Sequence, residues 1–149
     1  MARDRFSIVS RIPLVPLLIV ILSTIGCSDH LPVSGTVTVD DKPLTTGHVV
    51  FVPDKDKGNT STQRPEASIT ESGIYTVGTG HKAGAPPGWY KVVVIARTME
   101  PSPKVSKAVS LIDEKYSSVE KTDLSIEVKS GGSYDLPLKG PKSTPTRPK

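Results

Sequence analysis

The stretch 33-VSGTVTVDDKPL-44 decides the fold class of this chain. From Val33 to Val39, apolar or small residues alternate with polar ones at every second position. This period of two is typical of a β-strand with one buried face and one exposed face. The acidic pair Asp40-Asp41 and the following Lys42-Pro43 then supply a turn. The stretch therefore predicts a half-buried strand that enters a tight reversal of the chain.

Similar short segments follow at regular intervals along the chain. Residues 47–53 are apolar on both faces, which predicts a central strand. Further strands are predicted at 67–70, 74–77, 89–97, 124–128 and 134–138. The 14 prolines and 12 glycines punctuate these segments, and no amphipathic helical pattern interrupts them. Seven or eight such strands predict an all-β fold, an antiparallel β-sandwich over residues 33–138.

Individual side chains of the predicted sandwich can be assigned to its core or its surface. Tyr75 and Tyr90 are predicted to pack inward, each with its hydroxyl group bonded to the backbone. Alternation along residues 89–97 allows Trp89 to point outward as a possible ligand contact, and packing in the core or at a sheet edge is the alternative. Pro137 lacks a backbone N–H, so the last strand is predicted at a sheet edge. Residues 67–70 and 74–77 flank Glu71-Ser72-Gly73 and predict a short hairpin.

The N-terminal region has the composition of a targeting segment. Residues 1–11 are basic, and residues 12–25 form an apolar run that would span about 21 Å as a helix. That length is short of the roughly 30 Å hydrocarbon core of a bilayer, so the run predicts a signal peptide helix rather than a membrane span. The run ends in Thr24-Ile25-Gly26-Cys27, which contains the single cysteine of the chain.

This tetrapeptide resembles the bacterial lipobox, in which a small residue precedes a cysteine that is lipidated. The resemblance rests on Gly26 and Cys27, and it departs from the usual pattern at Thr24 and Ile25. It implies cleavage between Gly26 and Cys27 and acylation of Cys27. Two or three acyl chains hold a protein stably on a membrane, whereas one chain does so only marginally. By analogy with lipoprotein sorting, Ser28 directly after the cysteine favours the outer membrane.

The sequence thus predicts a chain of four parts. Residues 1–26 form a lipoprotein signal peptide, 27–32 a tether, 33–138 the β-sandwich and 139–149 a disordered basic tail. Residues 28–138 carry 12 Lys and Arg against 14 Asp and Glu, a balance of −2. The formal charge of +4 therefore comes from the two termini. The sequence contains no basic stripe with interleaved aromatic residues, so binding to nucleic acid is not predicted.

No constellation of catalytic or metal-binding residues emerges from the sequence. His30, His48 and His81 are dispersed and belong to no zinc-binding motif. The acidic loop 54–59 lacks calcium-loop spacing, because its glycine falls at the fifth position and position 12 is Pro65. A catalytic role for Cys27 would need a positioned histidine, and none has a recognisable spacing. We therefore expect no enzymatic activity, no cofactor and no metal.

Several blocks together resemble the carboxypeptidase regulatory-like, transthyretin-like domains, in particular those of short lipoproteins from planctomycete-type bacteria. The resemblance spans about residues 32–138. Its blocks are 33–44, 47–53, Glu71-x-Gly73-x-Tyr75-x-Val77, 84–92, Glu114-Lys115-Tyr116 and 124–128. Asp113, Asp123 and Ser133 depart from the family's usual Pro, Gly and Asn. The resemblance implies a seven- or eight-stranded sandwich and no catalytic residues.

The function expected from these features is that of a non-enzymatic module of the cell envelope. The lipid anchor would hold the sandwich on the membrane, facing the periplasm, where it would act in structure or protein interaction. The alternative is a module that binds a glycan or small ligand through loops 53–66 and 78–88, with Trp89 as a contact. The expected partners are the membrane and an unidentified envelope protein or glycan.

Overall fold

The structure is a computed structural model that describes residues 30–101 and 107–142. Three sequence predictions lie outside these residues: the signal peptide helix, the cleavage site at Gly26 and Cys27, and the acylation of Cys27. Residues 143–149 of the predicted tail lie outside them as well.

The described residues form thirteen short strands and two 3₁₀ turns. The strands are β1 (Val33–Val39), β2 (Lys42–Pro43), β3 (His48–Pro53), β4 (Glu66–Ser68), β5 (Ile74–Thr76), β6 (Gly78–Thr79), β7 (Lys82–Ala83), β8 (Gly88–Ile95), β9 (Arg97–Glu100), β10 (Lys107–Ser110), β11 (Ser125–Val128), β12 (Gly132–Ser133) and β13 (Leu136–Leu138). The 3₁₀ turns are Lys55–Lys57 and Glu114–Ser117. The larger number of strands comes mainly from two-residue strands outside the predicted segments, namely β2, β6, β7 and β12.

One sheet has six strands in the order β11-β8-β3-β4-β6-β7, and every neighbouring pair is antiparallel. β3 and β8 are paired over six residues, from His48 opposite Ile95 to Pro53 opposite Tyr90. β3 lies between β8 and β4, as the apolar character of both its faces predicts. Side chains alternate along β8, so that Tyr90, Val92 and Val94 face the core.

The second sheet is built around β1. β2 and β5 pair with β1 antiparallel, whereas β12 and β13 pair with it in parallel. β13 pairs with β1 alone among the described strands, so Pro137 lies in an edge strand as predicted. β9 and β10 form a separate two-stranded ribbon. The fold is an all-β sandwich, as the alternation indicates.

The parallel pairing of β12 and β13 with β1 differs from the purely antiparallel arrangement that we predict from sequence. Its cause is the position of the preceding strand. β11 ends at Val128 in the six-stranded sheet, and the chain then crosses to the other sheet at Gly132, opposite Val33. From there β12 and β13 run in the same direction as β1. Alternation defines which face of a strand is buried, but it does not define the strand's partner.

The core lies between the two sheets and is closed by aliphatic and aromatic side chains. Val33, Val37 and Leu136 of the β1 sheet face Phe51 and Tyr90 of the six-stranded sheet, and all five are buried. The ring of Phe51 lies 5.8 Å from that of Tyr90 and 6.3 Å from that of Tyr75. At about 25 cal/mol per Å² of apolar surface, such burial is the main favourable contribution to folding.

The segments around residues 71–73 do not form the simple hairpin that the sequence predicts. β4 belongs to the six-stranded sheet and β5 pairs with β1, so the two strands lie in different sheets. Two strand contacts link these segments across the turn. They are a single β-bridge between Ile69 and Tyr75 and the hydrogen bond from the Thr70 N–H to the Ile74 carbonyl. The turn therefore carries the chain across the edge of the sandwich.

Backbone hydrogen bonds of the sandwich extend beyond residues 33–138 at both ends. Leu31 exchanges two backbone hydrogen bonds with Ala85, at 2.8 and 2.9 Å, so the fold begins before residue 33 and takes up part of the predicted tether. At the other end, the Asp113 N–H donates to the Lys139 carbonyl at 3.0 Å. Lys142 Nζ lies 3.5 Å from Asp113 Oδ2. Residues 139–142 of the predicted disordered tail thus contact the sandwich.

Candidate functional site around Trp89

Trp89 lies near the start of β8, on the outer face of the six-stranded sheet, as its place in the alternation predicts. Its side chain is half-buried. The ammonium group of Lys57 sits over the indole at 4.0 Å from the ring centroid. Lys57 Nζ also donates a hydrogen bond of 2.7 Å to Ser125 Oγ, on the neighbouring strand β11. The cation therefore covers one face of the indole ring.

The loop that carries Lys57 is fastened to the backbone of Trp89. The Asp54 N–H and the Asn59 side-chain amide both donate to the Trp89 carbonyl, at 2.9 and 2.8 Å. The Asn59 N–H in turn donates to the Asp54 carbonyl at 3.0 Å, which closes the loop on itself. Asn59 is 7% exposed, so these bonds are shielded from water. These hydrogen bonds consequently hold the loop in a fixed position beside Trp89.

Gly88 is required for this close approach of the loop to β8. Its φ of +142° is a conformation that residues with a side chain rarely adopt. A Cβ atom at this position would lie 2.8 Å from the side-chain nitrogen of Asn59. Any larger residue would push Asn59 away from the Trp89 carbonyl. The sequence predicts a turn or bulge at Gly88. The structure shows that the close contact with Asn59 requires a glycine at this position.

Tyr90, the next residue, anchors the site to the core. It is buried, and its hydroxyl donates to the Pro86 carbonyl at 2.8 Å. Burial raises the pKa of the Tyr90 hydroxyl, while the Asn59 side chain acts in the opposite direction. The hydroxyl thus stays a donor at neutral pH and holds the Pro86–Pro87 segment against β8. This bond to the backbone is the one predicted for a core tyrosine.

These elements enclose a shallow groove of about 390 Å³. It is lined by residues 57–61 from one loop and residues 87–89 from the other. Parts of the two loops singled out in the sequence, 53–66 and 78–88, therefore meet at Trp89. The groove offers an indole, an ammonium group, an amide and hydroxyl groups. Such groups bind polar ligands or surfaces, but none is a nucleophile paired with a base.

The contributions of Lys57, Asn59 and Ser125 to this site were not predicted from sequence. Residues 54–66 are polar and without period, so alternation gives no orientation for their side chains. A usable signal was the Gly58-Asn59 dipeptide, since glycine favours the left-handed conformation that ends a 3₁₀ turn. Gly58 has a φ of +82° and closes the turn Lys55–Lys57.

The three histidines are not brought together at this site. His30 is buried near the start of the fold, His48 lies at the beginning of β3, and His81 lies between β6 and β7. Within residues 30–101 and 107–142, no group of three or more His, Cys, Asp or Glu side chains could hold a metal ion.

A second depression lies beside the β9–β10 ribbon and has a volume of about 480 Å³. Its charged lining includes Asp113, whose pKa is held below its ordinary value by the Lys115 backbone N–H, at 3.1 Å, and by Lys142. Asp113 caps the turn Glu114–Ser117, and its charge is used in holding the C-terminal residues. We therefore take the Trp89 groove as the candidate site.

Comparisons of the chain with protein-family models, with curated proteins and with solved structures return no match. In the part of the chain that the structure describes, no helix has the length and apolar character needed to cross a membrane.

Proposed function

We propose that this protein is a lipid-anchored, non-enzymatic module of the cell envelope. In this proposal, the signal peptide of residues 1–26 is removed, Cys27 is acylated, and a carboxypeptidase regulatory-like sandwich faces the periplasm, with the outer membrane favoured. The module serves in structure or in interaction with another envelope component.

The observation that carries the proposal is the short distance along the chain between Cys27 and the fold. The first backbone pairing of the sandwich is at Leu31, four residues after Cys27. In the sequence the cysteine therefore comes shortly before the domain, after a basic segment and an apolar run. Acylation there is compatible with the packed core. Each buried CH₂ contributes about 0.8 kcal/mol, so two or three chains hold the protein on a bilayer.

The non-enzymatic character is supported by the chemistry of the Trp89 groove. The Asn59 amide bonds the loop to the Trp89 carbonyl of β8, and the Lys57 ammonium group bonds it to Ser125 of β11. A reaction would need a nucleophile or acid–base pair aimed at an open position. The groove instead has the features of a contact surface.

Metabolic labelling tests the anchor directly. The full chain is expressed in a bacterium with lipoprotein-processing enzymes and grown with radiolabelled palmitate. We expect label in the mature protein, and Cys27→Ala should remain an unlabelled precursor of higher mass. Ser28→Ala is the matched control and should be labelled like the parent. Absence of label in the parent protein, with normal labelling of a resident lipoprotein, would contradict the proposal.

A second candidate function is binding of a glycan or small ligand in the Trp89 groove. The convergence of residues 57–61 and 87–89 on a half-exposed indole favours it. A ligand that binds the folded state must raise the melting temperature. We expect an envelope glycan fragment to raise it in the parent protein and not in Trp89→Ala. Equal shifts in both would place binding elsewhere.

A further inference from the structure

The Trp89 groove and the start of the fold lie at the same end of the sandwich. Leu31 is bonded to Ala85, which precedes Trp89 by only four residues. On the other side of β8, Gly88 pairs with Val128. The chain then turns and reaches Gly132, whose N–H donates to the Pro32 carbonyl at 2.9 Å. One pole of the sandwich thus holds both the entry of the chain and the groove.

A lipid on Cys27 would keep this pole close to the bilayer. Leu31 is the fourth residue after Cys27, and an extended chain spans at most about 3.5 Å per residue. Leu31, where the chain enters the pole, therefore lies within about 14 Å of the lipidated residue. A groove at this pole is within reach of the headgroup layer, whereas a groove at the opposite pole would be held away from it.

The side chains of the groove suit a membrane interface. Tryptophan concentrates at the boundary between hydrocarbon and water, because its ring is apolar and its N–H is polar. Lysine places its ammonium group at the level of the phosphates while its stem remains on apolar surface. Trp89 and Lys57 are in contact, so they present both features at one place.

We infer that the phospholipid headgroup layer is the partner of the Trp89 groove, with the indole at the interface and Lys57 Nζ on a lipid phosphate. This inference rests on the proposed lipid anchor. The contact gives the sandwich a fixed orientation on the membrane. β8 then leads away from the bilayer, and the β9–β10 ribbon, with Met99 63% exposed, lies at the far end.

The position of Lys57 favours a membrane over a glycan. A sugar ring that stacks on the indole from this side must displace an ammonium group at 4.0 Å that is also bonded to Ser125 Oγ. A phosphate oxygen instead adds to the ammonium group without moving it, since Lys carries three donors. The loop 54–57 has two acidic and two basic residues, so we expect docking on zwitterionic lipid as well as on anionic lipid.

Fluorescence tests this inference cleanly, because Trp89 is the only tryptophan of the chain. The full-length gene is expressed, and the mature protein is purified in detergent. Its acyl groups are verified by mass, and it is reconstituted into phosphatidylcholine vesicles with and without brominated lipid. Bromine quenches tryptophan only at close range. We expect at least a twofold loss of Trp89 emission in brominated vesicles.

The matched control carries its single tryptophan at the other end, as Trp89→Phe combined with Met99→Trp. Ten residues of extended chain, at about 3.3 Å each, separate the positions by up to about 33 Å. We expect this variant to keep its emission within a tenth of the value in unbrominated vesicles. A thermal melt verifies that the variant is folded. If the variant does not fold, the quenching of Trp89 in the parent protein still tests the inference.

The outcomes are distinguishable. Quenching of Trp89 without quenching at position 99 supports the inference. A lipidated, vesicle-bound protein with unquenched Trp89 overturns it, and so does equal quenching at both positions. A change of Trp89 emission on adding soluble cell-wall glycan, with none in brominated vesicles, overturns it in favour of the glycan site. A purified protein without acyl groups refutes the lipid anchor itself, which the mass measurement shows separately.

Discussion

Replacing Tyr75 with phenylalanine tests how the strands of the β1 sheet are held together. Tyr75 is 0% exposed, and its hydroxyl donates a 2.6 Å hydrogen bond to the Tyr134 carbonyl, 59 residues further along the chain. Gly35 allows this contact, since a Cβ there would lie 2.0 Å from the same carbonyl oxygen. The bond therefore joins β5 and the segment between β12 and β13 over β1.

The expected loss follows from the bond that is removed. A typical intramolecular hydrogen bond contributes about 1 kcal/mol net, and leaving a buried acceptor unpaired costs about 1–3 kcal/mol. We expect Tyr75→Phe to lower the free energy of unfolding by about 1–2 kcal/mol. For a domain of this size, that corresponds to a fall in Tm of roughly 4–8 °C. Urea unfolding followed by circular dichroism measures it.

Tyr134→Phe is the matched control. The hydroxyl of Tyr134 makes only long contacts, 3.3 Å to the Glu127 carbonyl and 3.4 Å to the Ser130 carbonyl. We expect a loss of less than about 0.5 kcal/mol, because long bonds at a partly exposed position contribute little. Equal losses in the two variants, or no loss in Tyr75→Phe, would refute the assignment of the Tyr75 hydroxyl as the structural bond.

The same residue predicts a pH dependence. Burial, followed by the charge of Asp135, raises the pKa of Tyr75 in the folded state above its ordinary value near 10. Above pH 10 the unfolded state releases this proton more readily, so the stability contributed by Tyr75 is present below pH 10 and declines above it. Tyr75→Phe should show a shallower loss of stability between pH 9 and about pH 11. Parallel curves for the two proteins would contradict this.

Three further predictions concern Gly35 in β1, the capping residue Asp113 and the loop residue Asn59. Gly35→Ala should lower the free energy of unfolding by about 3 kcal/mol or more through overpacking, whereas Gly78→Ala, with its nearest contact at 3.5 Å, should cost under about 1 kcal/mol in urea unfolding. Asp113→Asn should reduce the loss of Tm on acidification, because the Lys115 backbone N–H lowers the pKa of Asp113 and the native state opposes its protonation. Asn59→Ala should cost about 1–2 kcal/mol in urea unfolding and shift the tryptophan emission to longer wavelength, because it frees the loop from β8.

Much of the fold was predictable from local sequence. The alternation from Val33 to Val39 coincides with β1, in which Val33, Gly35 and Val37 are buried. The apolar run 47–53 predicts a central strand, and β3 has neighbours on both sides. These predictions succeed because burial of one face of a strand requires apolar side chains at every second position, and this pattern is visible in the sequence.

Strand partners were not predictable in the same way. β12 pairs with β1 in parallel and β4 separates from β5, although nothing in their own residues differs from ordinary strand segments. Pairing is decided by contacts between residues far apart in the chain, where alternation gives no information. The backbone pairing of Leu31 with Ala85 was missed for the same reason, since its partner lies 54 residues away.

The site was predictable in outline. Period two gave the outward direction of Trp89, and the glycine and proline content located the loops beside it. The cation over the indole was not predictable, because Lys57 lies in a loop without periodicity. The bonds from Asp54 and Asn59 to the Trp89 carbonyl, between residues far apart in the sequence, hold the Lys57 loop there.

The pairing of β1 with β13 also determines when the protein finishes folding during its synthesis. The Thr36 N–H donates to the Asp135 carboxylate, 99 residues later, and Val37 pairs with Leu136. The hydrogen bonds of β1, the first strand to be synthesised, are therefore complete only when β13, the last strand, has been made. Closure of so long a loop is slow, so the β1 sheet is complete only after residue 138 has been made.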